Sequence, residues 1–326
     1  MREIAVVDHC SPIVPPTVQP GDTIGLFCPA GPIRNMQSVQ QGIGCLRDFG
    51  FRIKVVRELQ EQTNPHAYLA ASDVDRAGEL QQLWQDDEVA ALMAVRGGFG
   101  CLRLLELLDF TMLGDNPKLL IGFSDLTALL AAIHRKTGLI GLHGPVVSTL
   151  ADSDRSSRQR LFACMTGEYS SCPGTGDVEI LRPGTATGPL IVGNLTTLVH
   201  LIGTPYEPEF ADAILVLEDT GESVYRIDRM LTQLSCAGKL QQAAGIILGF
   251  FDNGPGTGFD DMQYRHLCDR VLALTTGQSC PVWSRYAIGH GRFNFALPFG
   301  MIAEMGHDGQ LRLFPEQAQD TGSRSL

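Results

Sequence analysis

Apolar segments and amphipathic segments alternate along the first half of the chain, and this alternation constrains the fold more than any other feature. It predicts strands at residues 23–28, 51–56, 89–95, 118–123 and 139–143, and helices at residues 36–49, 73–84, 101–108 and 125–136. Parallel strands need a long crossover between them, and a helix is the usual one. The pattern therefore predicts an α/β domain in which helices cover both faces of a parallel sheet.

The alternation weakens in a stretch rich in Gly, Pro and Ser, which we interpret as a linker. After it, strands are predicted at residues 190–192, 213–217, 244–251, 282–288 and 293–299, and helices at 195–201, 224–236 and 260–274. We therefore predict a tail over residues 1–20, an α/β domain over 21–166, a linker over 167–187 and a smaller α/β domain over 188–326. A cleft between the two domains is the expected binding site.

Charge and cysteine content limit the partners and the compartment. The chain has 25 Lys and Arg against 36 Asp and Glu, a formal net charge of −11 without a basic run, so we expect no nucleic-acid partner. Its nine cysteines form no CxxC pair, which favours a reducing compartment and hence the cytoplasm. The long uncharged stretch before Glu207 is interrupted by Gly and Pro, so we expect no membrane span. No cluster has metal-ligand spacing, so we expect no metal.

Ser124 lies at the turn from a predicted strand to a helix, in the segment Gly122-Phe123-Ser124-Asp125-Leu126. A side chain there projects from the carboxyl end of a strand, beside the free N–H groups of a helix start. Ser124 is therefore a candidate nucleophile, although a serine at a helix start is often only an N-cap. The segment lacks the second glycine of the G-x-S-x-G motif, since Leu126 occupies that place. Asp125 on its own is interpreted as a carboxylate at the positive end of the helix.

A serine nucleophile needs a base, which near neutral pH is usually histidine. Of the eight histidines, His143 and His290 each end an apolar strand beside a glycine, whereas the others lie within apolar helical or peripheral segments. Spacing alone leaves both as candidates, with a modest preference for His290 because glycines flank it on both sides. Glu218 and Asp219, at the end of another apolar strand, are the candidates for the acid that orients the base.

A glycine-rich turn, Arg96-Gly97-Gly98-Phe99-Gly100, follows a predicted strand and precedes a helix. Its backbone N–H groups could bind an oxyanion or a phosphate, since glycines permit close approach of the backbone. A simple tight turn is an equal alternative. The segment matches neither common nucleotide-binding motif, so nucleotide binding has weak support.

Taken in order, these segments resemble the LD-carboxypeptidase family, the serine peptidases that recycle cell-wall muropeptides. The matching segments, spread over residues 21–315, are Gly21-Asp22-Thr23-Ile24-Gly25, Pro29-Ala30, Tyr68-Leu69-Ala70, the glycine-rich turn, Gly122-Phe123-Ser124-Asp125-Leu126-Thr127-Ala128, His143-Gly144-Pro145, Gly193-Asn194-Leu195, Leu201-Ile202-Gly203-Thr204-Pro205, Leu217-Glu218-Asp219, Arg229-Met230-Leu231 and Gly289-His290. Phe99 and Phe123 stand where tyrosine is common in the family.

The resemblance implies a catalytic triad of Ser124, Glu218 and His290. It also implies an oxyanion hole made by the backbone N–H of Asp125 and one N–H of the glycine-rich turn, for which we favour Gly98. The implied architecture is a flavodoxin-like N-terminal domain with a smaller C-terminal domain, in a homodimer and without a cofactor.

The implied substrate is a small murein tetrapeptide that loses its terminal D-Ala, by cleavage of the bond to the L-centre of a diamino acid. Two alternatives remain. A branch of the family with the same triad hydrolyses microcin-type peptidyl-adenylates and confers self-immunity. A non-enzymatic protein that binds a small ligand on the same scaffold is less favoured.

Overall fold

The computed structural model describes residues 12–62, 64, 66–169, 178–254, 258–317 and 319–320, so most of the predicted tail lies outside the described residues. The strands are β1 (Ile13–Val14), β2 (Thr23–Phe27), β3 (Arg52–Lys54), β4 (Val89–Ala94), β5 (Leu119–Gly122), β6 (Gly141–His143), β7 (Glu179–Arg182), β8 (Ala186–Asn194), β9 (Ile214–Asp219), β10 (Gly245–Phe251), β11 (Val282–Ser284), β12 (Leu297–Phe299), β13 (Ile302–Met305), β14 (Leu311–Leu313) and β15 (Gln319–Asp320).

The α-helices are α1 (Met36–Asp48), α2 (Asp73–Gln85), α3 (Phe110–Asp115), α4 (Thr127–Thr137), α5 (Val147–Leu150), α6 (Arg155–Met165), α7 (Leu195–Leu201), α8 (Val224–Cys236), α9 (Lys239–Gln242) and α10 (Asp261–Leu274). Shorter 3₁₀ segments cover Cys101–Leu107, Ser124–Leu126 and Pro315–Gln317. No helix in the described part of the chain is both long enough and apolar enough to cross a bilayer.

The first sheet has the strand order β12-β6-β5-β4-β2-β3. All neighbours are parallel except β12, which pairs antiparallel with β6. The order β3-β2-β4-β5-β6 is that of flavodoxin, in which the chain changes direction of winding between β2 and β4. The predicted flavodoxin-like domain is therefore confirmed. Ligands bind such sheets at the carboxyl ends of the strands beside this switch point.

The second sheet has the order β14-β13-β8-β9-β10-β11-β7. Strands β8, β9, β10 and β11 run parallel to one another, and antiparallel strands complete both edges. The central strand β9 is buried along its whole length. The predicted α/β C-terminal domain is therefore confirmed as a fold.

Several predicted elements differ from the observed ones. Strand β7 and the start of β8 lie within the stretch predicted as a linker, of which residues 170–177 fall outside the described residues. Composition suggested a linker because β7 is a short, half-exposed edge strand flanked by Gly and Pro. The predicted strand at residues 293–299 is reduced to β12, which returns to the first sheet. The helix predicted over residues 101–108 is a 3₁₀ segment. The domain boundaries stay a prediction.

The two sheets meet close to Ser124. The backbone N–H of Asn194, at the end of β8, donates to Thr127 Oγ1 at the start of α4 over 3.0 Å. A Cβ on Gly193 would lie only 2.3 Å from Thr127 Cγ2, so this position requires glycine. The close approach brings the carboxyl ends of strands from both sheets to one place.

Candidate active site

Ser124 lies in a strained turn between β5 and α4. Its φ is 65°, in the left-handed region that residues other than glycine rarely adopt. A Cβ on the preceding Gly122 would lie 2.3 Å from Leu126 Cδ2, so the buried Leu126 can pack beneath the turn only because residue 122 is glycine. Such backbone strain costs on the order of 1–3 kcal/mol and clusters at active sites.

Glu218 and His290 are hydrogen-bonded to each other. Glu218, at the end of β9, is fully buried, and its Oε2 lies 2.6 Å from His290 Nδ1. A Cβ on Gly289 would lie 2.7 Å from the same oxygen, and its φ of +104° is also one that glycine adopts most easily. Because a carboxylate only accepts hydrogen bonds, Nδ1 carries the proton and Nε2 is left as a base.

Ser124 and His290 line one cavity of about 460 Å³. It lies at the carboxyl ends of β2, β4 and β5, next to the switch point of the first sheet. No hydrogen bond between Ser124 and His290 is found among the described residues. Catalytic hydrogen bonds in unliganded serine enzymes are often long and shorten only with substrate. The lining residues are Ile33, Arg34, Asn35, Ser38, Val39, Arg96, Gly97, Gly98, Phe123, Ser124, Val146, Ser148, Thr149, Thr220 and His290.

The electrostatic surroundings suit His290 as a proton acceptor. Burial lowers its pKa, but the charge and hydrogen bond of Glu218, followed by the charges of Asp219 and Asp252, outweigh burial and raise the pKa above 6.5. Buried acids therefore stabilise the imidazolium that forms when His290 takes a proton.

His143, the other candidate base, is separated from the cavity. It is fully buried at the end of β6, and burial lowers its pKa to about 4. The ring of Phe123 contacts both histidines, with its centroid 5.9 Å from that of His143 and 4.7 Å from that of His290, and His143 does not line the cavity. His143 is thus a neutral core residue behind the site.

Asp219, the alternative acid, is occupied by local hydrogen bonds. Its carboxylate accepts from Asn194 Nδ2 at 2.8 Å, from the Thr196 N–H at 2.9 Å and from the Thr220 N–H at 2.8 Å. Burial and then the charge of Glu218 raise the pKa of Asp219 to about 6. The side chain of Asp219 therefore holds the start of α7, and Glu218 is the acid that faces His290.

One proposed oxyanion donor, Asp125, directly follows Ser124, and the other, Gly98, lines the same cavity. The backbone N–H of Asp125 belongs to the first turn of its 3₁₀ segment and has no acceptor among the described residues. Gly98 lines the cavity with a φ of +129°, and a Cβ there would lie 3.0 Å from the backbone nitrogen of Gly31. The Asp125 carboxylate accepts from the Cys101 N–H at 2.8 Å, which ties the glycine-rich turn to the Ser124 turn.

Arg76 supports the glycine-rich turn from below, a role that sequence analysis missed. This side chain is fully buried, and its Nη1 donates to Gly100 O at 3.1 Å and to Pro29 O. It thus joins the loops that follow β2 and β4. The signal in the sequence is weak: an arginine on the face of α2 that otherwise buries residues such as Leu80 and Trp84.

Comparison with known proteins identifies the family to which this chain belongs. The family model of the LD-carboxypeptidase N-terminal domain matches residues 24–144, and that of the LD-carboxypeptidase C-terminal domain matches residues 187–305. The chain belongs to the LD-carboxypeptidase family. The prediction of a serine-type hydrolase of this family is therefore confirmed.

Relatives of this LD-carboxypeptidase family member carry two kinds of name. A Bacillus subtilis protein named probable murein peptide carboxypeptidase is 34% identical over 89% of this chain and 91% of its own length. The murein tetrapeptide carboxypeptidase of Pseudomonas aeruginosa is 33% identical over 73% of this chain and 79% of its own. The microcin C7 self-immunity protein MccF of Escherichia coli is 27% identical over 95% of this chain and 98% of its own.

The solved structures that resemble this chain carry the same two kinds of name. A muramoyltetrapeptide carboxypeptidase from Oxalobacter formigenes superposes with a TM-score of 0.75 at 28% identity, covering 89% of this chain and 97% of that one. A structure of MccF has a TM-score of 0.83 at 23% identity, covering 94% and 100%. At that identity the second likeness concerns the fold alone.

The shifted pKa of His290 predicts the pH dependence of this LD-carboxypeptidase family member. As the proposed base, His290 must be neutral to accept a proton, so kcat/KM is expected to fall as the pH drops through its pKa. Because this pKa is raised above 6.5, the acid limb should have its midpoint above pH 6.5. Glu218→Gln removes the charge that raises the pKa, so the midpoint of its residual activity should move to lower pH. A wild-type midpoint below 6.5, or no shift in the variant, would contradict this electrostatic account.

Gly97→Ala should damage activity more than stability. The new Cβ would lie 3.0 Å from Ser124 Cβ and 3.1 Å from Ser124 Oγ, and would push the hydroxyl out of place. Small misplacements of reacting groups cost on the order of 100-fold, so we expect kcat/KM to fall by about that factor with little change in Tm. Gly78→Ala, on α2 with open space around it, is the matched control and should keep full activity. Equal activities of the two variants would refute close packing of Gly97 against a catalytic Ser124.

Proposed function

We propose that this chain is a serine carboxypeptidase that releases the terminal D-Ala from murein tetrapeptides during cell-wall recycling. The observation that carries the proposal is the Glu218–His290 pair, joined over 2.6 Å, which opens onto the cavity that also contains Ser124. Membership of the LD-carboxypeptidase family and the murein peptidase names of the relatives support the same substrate class.

In the proposed reaction, His290 Nε2 takes the proton of Ser124 as Ser124 Oγ attacks the carbonyl carbon of the diamino acid. The oxyanion accepts hydrogen bonds from the N–H groups of Asp125 and Gly98. Glu218 keeps the imidazole oriented and stabilises its charged form. D-Ala leaves with the proton from His290, and water then hydrolyses the ester on Ser124 by the same steps.

The proposal includes the oligomeric state and the cellular compartment of the enzyme. From the family resemblance we propose a homodimer, and from cysteine usage together with the resemblance we propose the cytoplasm. Analytical ultracentrifugation of the purified protein tests the first, and cell fractionation tests the second.

A second candidate function is hydrolysis of a microcin-type peptidyl-adenylate. The observation that favours it is the likeness to MccF, which extends over 95% of this chain. Both reactions use an activated serine against an acyl carbon, so the triad alone is compatible with either.

One comparison of substrates separates the candidates. The wild-type enzyme is incubated with three substrates. The first is a murein tetrapeptide, the second is the same peptide with the D- instead of the L-centre of the diamino acid at the cleaved bond, and the third is a peptidyl-adenylate. We expect D-Ala from the first substrate alone. Faster cleavage of the adenylate would favour the second candidate, whereas binding of the tetrapeptide without any product would favour a non-enzymatic binding protein.

A further inference from the structure

Among the described residues that line the cavity at Ser124, two are arginines and none is acidic. Arg34 lies in the loop after β2, and Arg96 lies directly beyond β4. Neither arginine is ion-paired with an acidic residue in the described parts of the chain. In a protein with a formal net charge of −11, this makes the cavity a local positive site.

Backbone carbonyls hold both arginines in place without neutralising them. Arg34 Nη1 donates to Gln62 O at 3.0 Å and to Asn64 O at 2.7 Å, and its Nη2 donates to Ala67 O. Arg96 donates from Nε to Gly97 O at 3.1 Å and from Nη1 to Pro32 O at 2.8 Å. This leaves Arg34 Nε and Arg96 Nη2 without an acceptor among the described residues, so each arginine keeps an N–H group for a ligand.

The two positive charges also influence each other. Burial, and after it the charge of Arg34, lower the pKa of Arg96. Like charges held close together in a partly buried cavity repel each other, and an anion bound between them removes that repulsion. Planar guanidinium groups match a carboxylate in particular, because their N–H groups can bind both of its oxygens.

We propose that Arg34 and Arg96 bind the C-terminal carboxylate of the substrate, and that they restrict the enzyme to the last residue of a peptide. This inference rests on the proposed peptidase function. Arg96 Nη2 lies 3.8 Å from where a Cβ on Gly98 would be, so the guanidinium lies beside the proposed oxyanion donor. In a peptide, the terminal carboxylate carbon lies three bonds from the carbon of the cleaved carbonyl. When that carbonyl oxygen is bound at Gly98, the terminal carboxylate is therefore within reach of the neighbouring Arg96.

The test compares a tetrapeptide that ends in D-Ala with the same peptide ending in D-alaninamide. A third peptide, amidated at the α-carboxylate of its internal D-Glu, shows whether another carboxylate is the one bound. A charge-assisted hydrogen bond contributes about 1.5–3 kcal/mol, so we expect the free acid to be preferred in kcat/KM by roughly 10- to 100-fold over the amide. Amidation of the internal carboxylate should matter much less.

Substitutions of the two arginines test whether they cause the preference for the free acid. Arg96→Gln and Arg34→Gln should each bring the acid-to-amide ratio of kcat/KM towards one, and Arg96→Lys should retain part of the preference. Arg47→Gln, on α1 outside the cavity lining, is the control and should keep the wild-type ratio. The ratio discriminates roles because damage to the loops alone would slow both substrates equally.

Three results would overturn the inference alone. If the wild-type enzyme cleaves the free-acid and amide peptides equally well, the proposed peptidase function is retained and the proposed carboxylate site is refuted. An unchanged ratio in soluble, folded Arg34→Gln and Arg96→Gln proteins would assign the preference to other groups. If amidation of the internal D-Glu has the larger effect, the arginines bind a different carboxylate. Absence of cleavage of any of the peptides would instead overturn the proposed function itself and the inference with it.

Discussion

Ser124→Ala is expected to lower the rate of D-Ala release by about 10⁴- to 10⁶-fold while the protein stays folded. The hydroxyl is the proposed nucleophile, and an alanine side chain has no group that can attack the carbonyl carbon. The backbone at residue 124, with its φ of 65°, is equally unfavourable for serine and alanine, so stability should stay within about 1 kcal/mol of the wild type. D-Ala release measures the first expectation, and thermal unfolding followed by circular dichroism measures the second.

Ser153→Ala is the matched control for removal of a hydroxyl. Ser153 Oγ donates to Thr149 O at 2.8 Å and does not line the cavity, so its loss should leave turnover unchanged. A folded Ser124→Ala protein that releases D-Ala at near the wild-type rate would rule out Ser124 as the nucleophile.

His290→Ala should be as severe as Ser124→Ala, and the double variant should be no worse than either single one. Members of a triad act as a unit, so the effects of their removal do not add. His143→Ala should retain far more activity, because His143 is buried behind Phe123 and does not line the cavity. Its main effect should be a lower Tm, since it leaves a hole in the core.

The measurement is kcat/KM for the three single variants and for Ser124→Ala/His290→Ala. A further large loss in the double variant would mean that Ser124 and His290 act in separate steps. If His143→Ala and His290→Ala were equally inactive at equal stability, the buried histidine would also take part in the chemistry.

Local sequence patterns predicted the fold wherever a segment decides its own structure. The apolar runs of β2, β4 and β5 are buried strands as expected, and α2 begins after Ser72, a residue type typical of an N-cap, whose side chain accepts a hydrogen bond from the N–H of Asp75. Partners distant in the chain were not predictable in the same way. Nothing in the residues of β12 indicates that it returns to pair with β6, because apolar alternation identifies a strand and not its neighbour.

In the candidate site, too, local features could be predicted from the sequence, whereas contacts between distant segments could not. The position of Ser124 at the end of a strand was visible in the sequence, but its left-handed backbone was not, since residues other than glycine rarely adopt that conformation. The choice of His290 over His143 depended on the family resemblance, and the structure gives a physical reason in the contact with Glu218. The charges of Arg34 and Arg96 could not be assigned to the cavity, because two separate loops bring them together.

The most direct test of the account uses a phosphonate analogue of the tetrapeptide, with an activated phosphonate ester in place of the cleaved amide. The account predicts a single covalent adduct on Ser124, identified by peptide mass spectrometry. A crystal structure of that adduct should place the phosphonyl oxygen about 3 Å from the N–H groups of Asp125 and Gly98, with His290 Nε2 near the ester oxygen. An adduct on another residue, or an oxygen that points away from these N–H groups, would contradict the proposed mechanism.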